Sequence, residues 1–183
     1  TPNIMKIYTR NGDDGETGLL YGGKVSKNSS LPEAYGTVDE AQAILGLVRT
    51  ECEKGSDLEE KIIHIERDLY VLMAELATDP AKHDKLESGK NKVNGEMVEF
   101  LEKFIDEISA RFELPKEFVI PGQNRISALI DIARTVVRRA ERRTISCEIK
   151  DSLAIPYLNR LSDLLWAMAR WQEGESITSR SVK

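Results

Sequence analysis

Between Leu58 and Leu76 the apolar residues fall at Leu58, Ile62, Ile65, Leu69, Leu72 and Leu76, in alternating steps of four and three. That period belongs to a helix, whose 3.6 residues per turn bring positions three and four apart onto one face, whereas a strand would place every second residue on a face. Asp79 and Pro80 stop the run, because proline removes a backbone donor and clashes with the preceding turn. An unbroken apolar stripe of this length has to be buried against other helices, so the chain must form packed helical layers.

Other segments carry the same signal. Ala34, Val38, Ala41, Leu45 and Val48 follow Pro32 at helical spacing until Gly55 and Ser56. Residues 79–94 are polar and lysine-rich and predict a mobile excursion. Met97, Leu101, Phe104, Ile105 and Ile108 then rebuild a helical face to about Arg111. A turn at Pro115 and the run Phe118-Val119-Ile120-Pro121-Gly122 precede a long helix from Asn124, its expected cap, to Ile145. The apolar face of that helix is assigned to Leu129, Ile130, Ile132, Val136, Val137 and Ala140, and a last helix runs from Tyr157 to Gly174. Helices joined by short connections, without alternating strands, predict an all-α, five-helix up-and-down bundle. At 183 residues it is a single domain over 1–183, with a loop at 1–30, the bundle at 31–174 and a tail at 175–183.

Several classes drop out. No apolar run is long enough to span a bilayer, and Thr1 to Lys6 lacks a basic stretch followed by an apolar one, so a cytoplasmic protein is expected. Cys52 and Cys147 lack paired spacing, which excludes a disulfide framework and a zinc knuckle and leaves them as small core residues. His64 and His83 have no metal-ligand spacing, and Trp166 and Trp171 read as packing residues. A net charge of −5 disfavours nucleic acid as a partner but permits a local basic site.

Such a site is present. Arg134, Arg138 and Arg142 recur every fourth residue, with Arg139, Glu141 and Arg143 beside them. Three guanidinium groups on one ridge repel one another unless an anion or carboxylate sits among them, and their forked donors match phosphate oxygens in pairs. Glu141 is expected to fix one of them. The N-terminal segment supplies the complement, with Gly12, Gly15, Gly18, Gly22 and Gly23 among Thr9, Arg10, Thr17 and Lys27. Glycine density of this kind permits backbone amides to wrap a phosphate chain, although the pattern is neither a P-loop nor a dinucleotide fingerprint.

Four motifs in order carry a resemblance. Thr9-Arg10-x-Gly12-Asp13-x-Gly15-x-Thr17, Tyr35-Gly36-Thr37-Val38-Asp39-Glu40, Arg134-x-x-x-Arg138-Arg139-Ala140-Glu141-Arg142 and Leu158-Asn159-Arg160-Leu161-Ser162-Asp163 together resemble the PduO-type ATP:cob(I)alamin adenosyltransferases. The resemblance implies a ferritin-like bundle assembled as a homotrimer, with sites between subunits. It implies that Thr9, Arg10, Asn11, Gly12, Thr17, Gly18 and Lys27 wrap ATP from one chain, and that Arg138, Arg139, Glu141, Arg142 and Asn159 complete the pocket from the next. It implies an Asp39–Arg134 pair across the subunit boundary, with Arg134, Arg138 and Asp39 catalytic, and Phe118 beneath the corrin ring beside Asp39 and Arg134.

The implied substrates are ATP, carrying Mg²⁺, and cob(I)alamin or cob(I)yrinic acid a,c-diamide, with a flavin- or ferredoxin-type reductase supplying Co(I). No protein metal ligands are assigned. On spacing alone Phe118 reads as a core residue. Asp14 and Glu16 depart from the family loop and lower the expected nucleotide affinity, and the tail lacks an aromatic residue for a corrin contact. Two other uses of these residues stay open: a nucleotide-sensing bundle without group transfer, and a helical RNA-binding module, which the acidic charge disfavours.

Overall fold

Three helices begin on a polar side chain that accepts a free backbone N–H of the first turn, as an N-cap should. Ser56 Oγ accepts Glu59 N at 3.2 Å to open α2 (Asp57–Leu76), Asn94 Oδ1 accepts Met97 N at 3.1 Å to open α3 (Gly95–Ser109), and Asn124 Oδ1 accepts Ser127 N at 2.9 Å to open α4 (Arg125–Ile145). With α1 (Ser30–Thr50) and α5 (Ala154–Glu173) they make the expected five-helix bundle. The computed structural model describes residues 6–180. Of the start read over Thr1 to Lys6, the first five residues lie outside the described residues, as do the last three of the tail.

The six apolar positions that predicted α2 are all buried. Burying side chains of this size contributes about 1.5–3 kcal/mol each before entropy is counted. Helix α4 packs along both α1 and α5, α3 packs on α5, and α2 packs on α1. Ion pairs fix α1 and α4 antiparallel: Arg125 Nε meets Glu51 Oε1 at 2.7 Å at one end and Arg143 Nε meets Glu33 Oε1 at 3.2 Å at the other. No helix among the described residues is long and apolar enough to cross a membrane.

Four expectations need correction. Ile132 is 49% exposed, because it sits two residues, about 200° of helical rotation, from buried Ile130. The glycine-rich segment is not all loop: β1 (Glu16–Gly18) pairs antiparallel with β2 (Lys24–Ser26). A second small ladder joins β3 (Val119–Ile120) to β4 (Ile177–Thr178), which brings the tail back onto the Phe118 segment. Residues 79–94 form no loose excursion either. They hold a 3-10 turn at Pro80–Lys85, buried Asn91 and buried Val93, and Val93 N donates to Glu75 Oε2 at 2.7 Å. A polar composition conceals this because what holds the segment is hydrogen bonding to distant chain.

Candidate functional site

The N-terminal loop is shaped by backbone that few side chains tolerate. Gly12 has φ 99°, and a Cβ there would stand 2.9 Å from the Glu16 carbonyl oxygen and 3.1 Å from Lys27 Cε. Gly15 N donates to Gly12 O at 3.1 Å and Lys27 N to Gly15 O at 2.9 Å, so the loop folds back on the start of the hairpin. The result is a concavity of about 830 Å³ whose walls include Arg10, Asn11, Gly12, Thr17, Gly18 and Lys27, six of the seven loop residues expected to hold a nucleotide. The seventh, Thr9, supports it from outside, its Oγ1 accepting Asn11 N at 3.3 Å. Lys24 Nζ lies 3.9 Å from Asp14 and 3.6 Å from Glu16, so the two acids that depart from the family pattern are offset locally by a cation.

On α4 the arginines divide into two sets. Arg139 pairs with Glu40 and Arg143 with Glu33, both partners standing on α1. Arg138 and Arg142 are exposed, and the one contact between them is Arg142 Nη1 donating to Arg138 O at 3.0 Å. Of these four cations two are thus tied down within the chain and two present their charge outward; Arg125 and Arg134, also on α4, pair with Glu51 and Asp131. The expected partner for an arginine, Glu141, makes no ion pair among the described residues; Glu33 and Glu40 fill that role from the neighbouring helix. Asn159 lies exposed on α5 and Asp39 exposed on α1. None of the ridge arginines lines the loop concavity. A single chain does not bring the two halves of the expected nucleotide site together.

Toward the other end of α4 lies a second cavity, of about 600 Å³, walled by Phe118, Asp131, Arg134, Trp166, Arg170 and Arg180 among others. Phe118 is 88% exposed, which corrects its reading as core: its ring stands at a cavity mouth and packs into nothing. Its backbone is held by the tail, since Ser179 N donates to Phe118 O at 2.7 Å beside the β3–β4 ladder. The tail, which lacks an aromatic residue for a corrin contact, therefore fixes Phe118 and adds Ser179 and Arg180 to the wall.

Behind that wall runs a charge network that sequence reasoning missed. Arg170, 3% exposed, donates through Nη2 to Asp131 Oδ2 at 2.6 Å and to Glu173 Oε2 at 3.1 Å, and Ser176 donates to Glu173. The second oxygen of Asp131 accepts Arg134 Nε at 2.9 Å. Buried charges persist only when paired and hydrogen-bonded, and here every member is. Within the chain the partner of Arg134 is thus Asp131. The available signal was the spacing of three that links Asp131 to Arg134 and Arg170 to Glu173 on their helices.

The sequence model of the cobalamin adenosyltransferase family covers residues 7–172. A corrinoid adenosyltransferase of Citrobacter freundii is 40% identical over 174 residues, spanning 93% of this chain and 96% of the relative. The corrinoid adenosyltransferase of Bacillus subtilis (strain 168) is 39% identical over 173 residues, with 91% and 86% covered. Among solved structures, a variant of the PduO-type ATP:corrinoid adenosyltransferase from Lactobacillus reuteri, complexed with cobalamin and ATP, superposes with a TM-score of 0.86 at 28% identity, covering 97% of this chain and 98% of that one.

Proposed function

The chain belongs to the cobalamin adenosyltransferase family, and from that premise we propose how its residues share the work of moving the 5′-deoxyadenosyl group of ATP onto the cobalt of a corrinoid. It is an ATP-dependent corrinoid adenosyltransferase. The observation that carries the division of labour is the exposure of Phe118 at the mouth of the cavity that also holds Arg134. An exposed aromatic ring beside a guanidinium suits a flat, largely apolar macrocycle with polar substituents. The corrinoid occupies that cavity, and Phe118 lies against the lower face of its ring, excluding a lower axial ligand.

ATP occupies the glycine concavity, where Arg10, Lys27 and the loop amides hold its phosphates. Cob(I) is itself a strong nucleophile, so no catalytic base is required: cobalt attacks C5′, the Co–C bond forms, the C5′–O bond breaks, and the electron pair leaves with triphosphate. The protein has to align the two atoms and neutralise the departing charge. Arg138 and Arg142 do the latter, supported by Arg139, Glu141 and Asn159. From Arg134 to Arg142 the ridge spans about 12 Å of helix, room for a triphosphate to lie along it. Mg²⁺ would come on the oxygens of ATP and share in neutralising the triphosphate.

Loop and ridge stand apart in one chain, which supports a site shared between subunits, with the loop of one meeting the ridge of the next and Asp39 reaching Arg134. A homotrimer closes such head-to-tail contacts into a ring. The setting is the cytoplasm, with a flavin- or ferredoxin-type reductase delivering Co(I), and cobalamin or cobyrinic acid a,c-diamide accepting the adenosyl group. Anaerobic incubation with ATP, Mg²⁺ and chemically reduced cobalamin tests the reading: the spectrum of Co(I) should give way to that of an alkylcobalamin with one triphosphate released per corrinoid, and release of orthophosphate alone would overturn it.

A further inference from the structure

The turn that joins β1 to β2 passes through three successive residues with positive φ: Tyr21 at 62°, Gly22 at 87° and Gly23 at 107°. Such a turn aims neighbouring carbonyls at one point, and a cation occupies it. Lys82 Nζ donates to the carbonyls of Tyr21 at 3.2 Å and Gly22 at 2.5 Å. From the same connection between α2 and α3, Asn91 Nδ2 donates to the Tyr21 hydroxyl at 2.7 Å, and Asn91 is itself buried, its Oδ1 taking Glu87 N. Leu20 N donates to Ala77 O at 2.8 Å, and Leu20 bridges to Thr78. The tip of the hairpin is thus clasped by chain some sixty to seventy residues away.

We propose that the α2–α3 connection is the positioning element of the nucleotide loop, with Lys82 and Asn91 as positioning residues that touch no substrate. Gly18 on β1 stands opposite Lys24 on β2, Thr17 precedes Gly18 on β1 opposite Val25, and Thr17, Gly18 and Lys24 all line the concavity. Where the tip is held, these wall residues are held as well. A loop kept in its binding shape before the ligand arrives spares the ligand the entropy of ordering it, and this gain appears as affinity for the loop's own ligand alone. The proposal rests on the assignment of ATP to this concavity.

The test uses the full chain and the variants Lys82→Met, Lys82→Arg, Asn91→Leu and Tyr21→Phe. KM for ATP should rise about tenfold in Lys82→Met and about threefold in Asn91→Leu and Tyr21→Phe, with KM for cob(I)alamin within about twofold of wild type and Lys82→Arg restoring most of the loss. An effect of Lys82→Met with none in the two uncharged variants would show Lys82 binding phosphate directly and overturn the positioning role. An equal rise in both KM values would show general damage and overturn it too. Hydrogen exchange of the amides from Gly15 to Lys27, measured without substrates, supplies a readout separate from catalysis. Protection there should fall in Lys82→Met and Tyr21→Phe while the amides of α4 stay protected. Unchanged protection sinks the inference, whereas an inactive wild type with that loss of protection sinks only the assignment of ATP.

Discussion

Arg170 and Asp131 stand 39 residues apart in the chain and meet at 2.6 Å, Nη2 to Oδ2, with neither side chain more than 7% exposed. Asp131 thereby joins the buried arginine to Arg134 at the cavity wall. Removing one partner of a buried pair strands the other charge out of water, at a cost far above the net worth of the pair. Asp131→Asn should therefore lower unfolding stability by about 3 kcal/mol, with Glu173 limiting the loss. Glu51→Gln, which breaks the largely exposed pair to Arg125, should cost under about 0.5 kcal/mol. Urea unfolding of the two variants checks the contrast, and equal midpoints would show that the network does not hold α4 to α5.

Phe118 separates stability from activity. With 88% of its surface in solvent it contributes little to the fold, and truncation at such a position normally stays within about 0.5 kcal/mol. Phe118→Ala should leave the urea midpoint in place and lower the rate of corrinoid adenosylation at least tenfold, because the ring's proposed contact is with substrate. A variant as active as wild type would return Phe118 to the status of an ordinary surface residue.

The two sets of arginines on α4 make an internal control. Arg138 has no ion-pair partner among the described residues, whereas Arg139 is tied to Glu40. Arg138→Ala should reduce turnover about 100-fold, the scale of losing one preorganised donor to developing charge. Its thermal midpoint should not move. Steady-state kinetics beside calorimetry decides this, and a fall in stability matching the fall in rate would mark Arg138 as structural.

How far the sequence revealed this molecule depended on how local the information was. The stripe from Leu58 to Leu76 and the cap at Asn124 were legible because a helix states its buried face and its start within a few turns. Ile132 misled because it was taken with its apolar neighbours without regard to helical rotation. Arg170 and Glu173 went unremarked in the sequence, since only the fold shows that Asp131 arrives from α4 to meet them. The 79–94 segment and the tail were opaque for the same reason: Lys82 acts on Tyr21, and Ser179 on Phe118, across stretches of chain that no local pattern connects.

Asp68 offers a pH test within the bundle. It is buried between His64 on its own helix, whose Nε2 lies 3.7 Å from Oδ2, and Tyr157 on α5, whose hydroxyl donates to Oδ2 at 3.1 Å. Burial raises the Asp68 carboxyl above the usual value, outweighing the opposite pull of His64 and the Tyr157 hydrogen bond. The folded state therefore holds this proton more tightly than the unfolded chain does. Its stabilising contribution is complete below the unfolded pKa, about 3.9, and is lost as pH rises through the raised folded value. Asp68→Asn should remove that slope, so the variant should gain stability relative to wild type as pH goes from 4 toward 7. Urea midpoints of both proteins at several pH values measure it, and a difference that shrinks with rising pH would contradict the direction of the shift.

Gly12 puts the loop to a steric test that leaves the core alone. At φ 99° an alanine is strained in any surroundings, and here its methyl would press on the Glu16 carbonyl at 2.9 Å and on Lys27 at 3.1 Å. Lys27 has a flexible end and can withdraw, but the carbonyl belongs to β1 and can move only with the hairpin. The strain, about 1–3 kcal/mol at such a position, falls on the loop, whose residues carry little of the buried core. Gly12→Ala should thus weaken ATP binding by tenfold or more in calorimetric titration. The unfolding midpoint of the free protein should shift by no more than a loop substitution would cause. If ATP affinity survived, the nucleotide would have to lie elsewhere than against the Gly12 turn, and the concavity around Lys27 would lose its assignment.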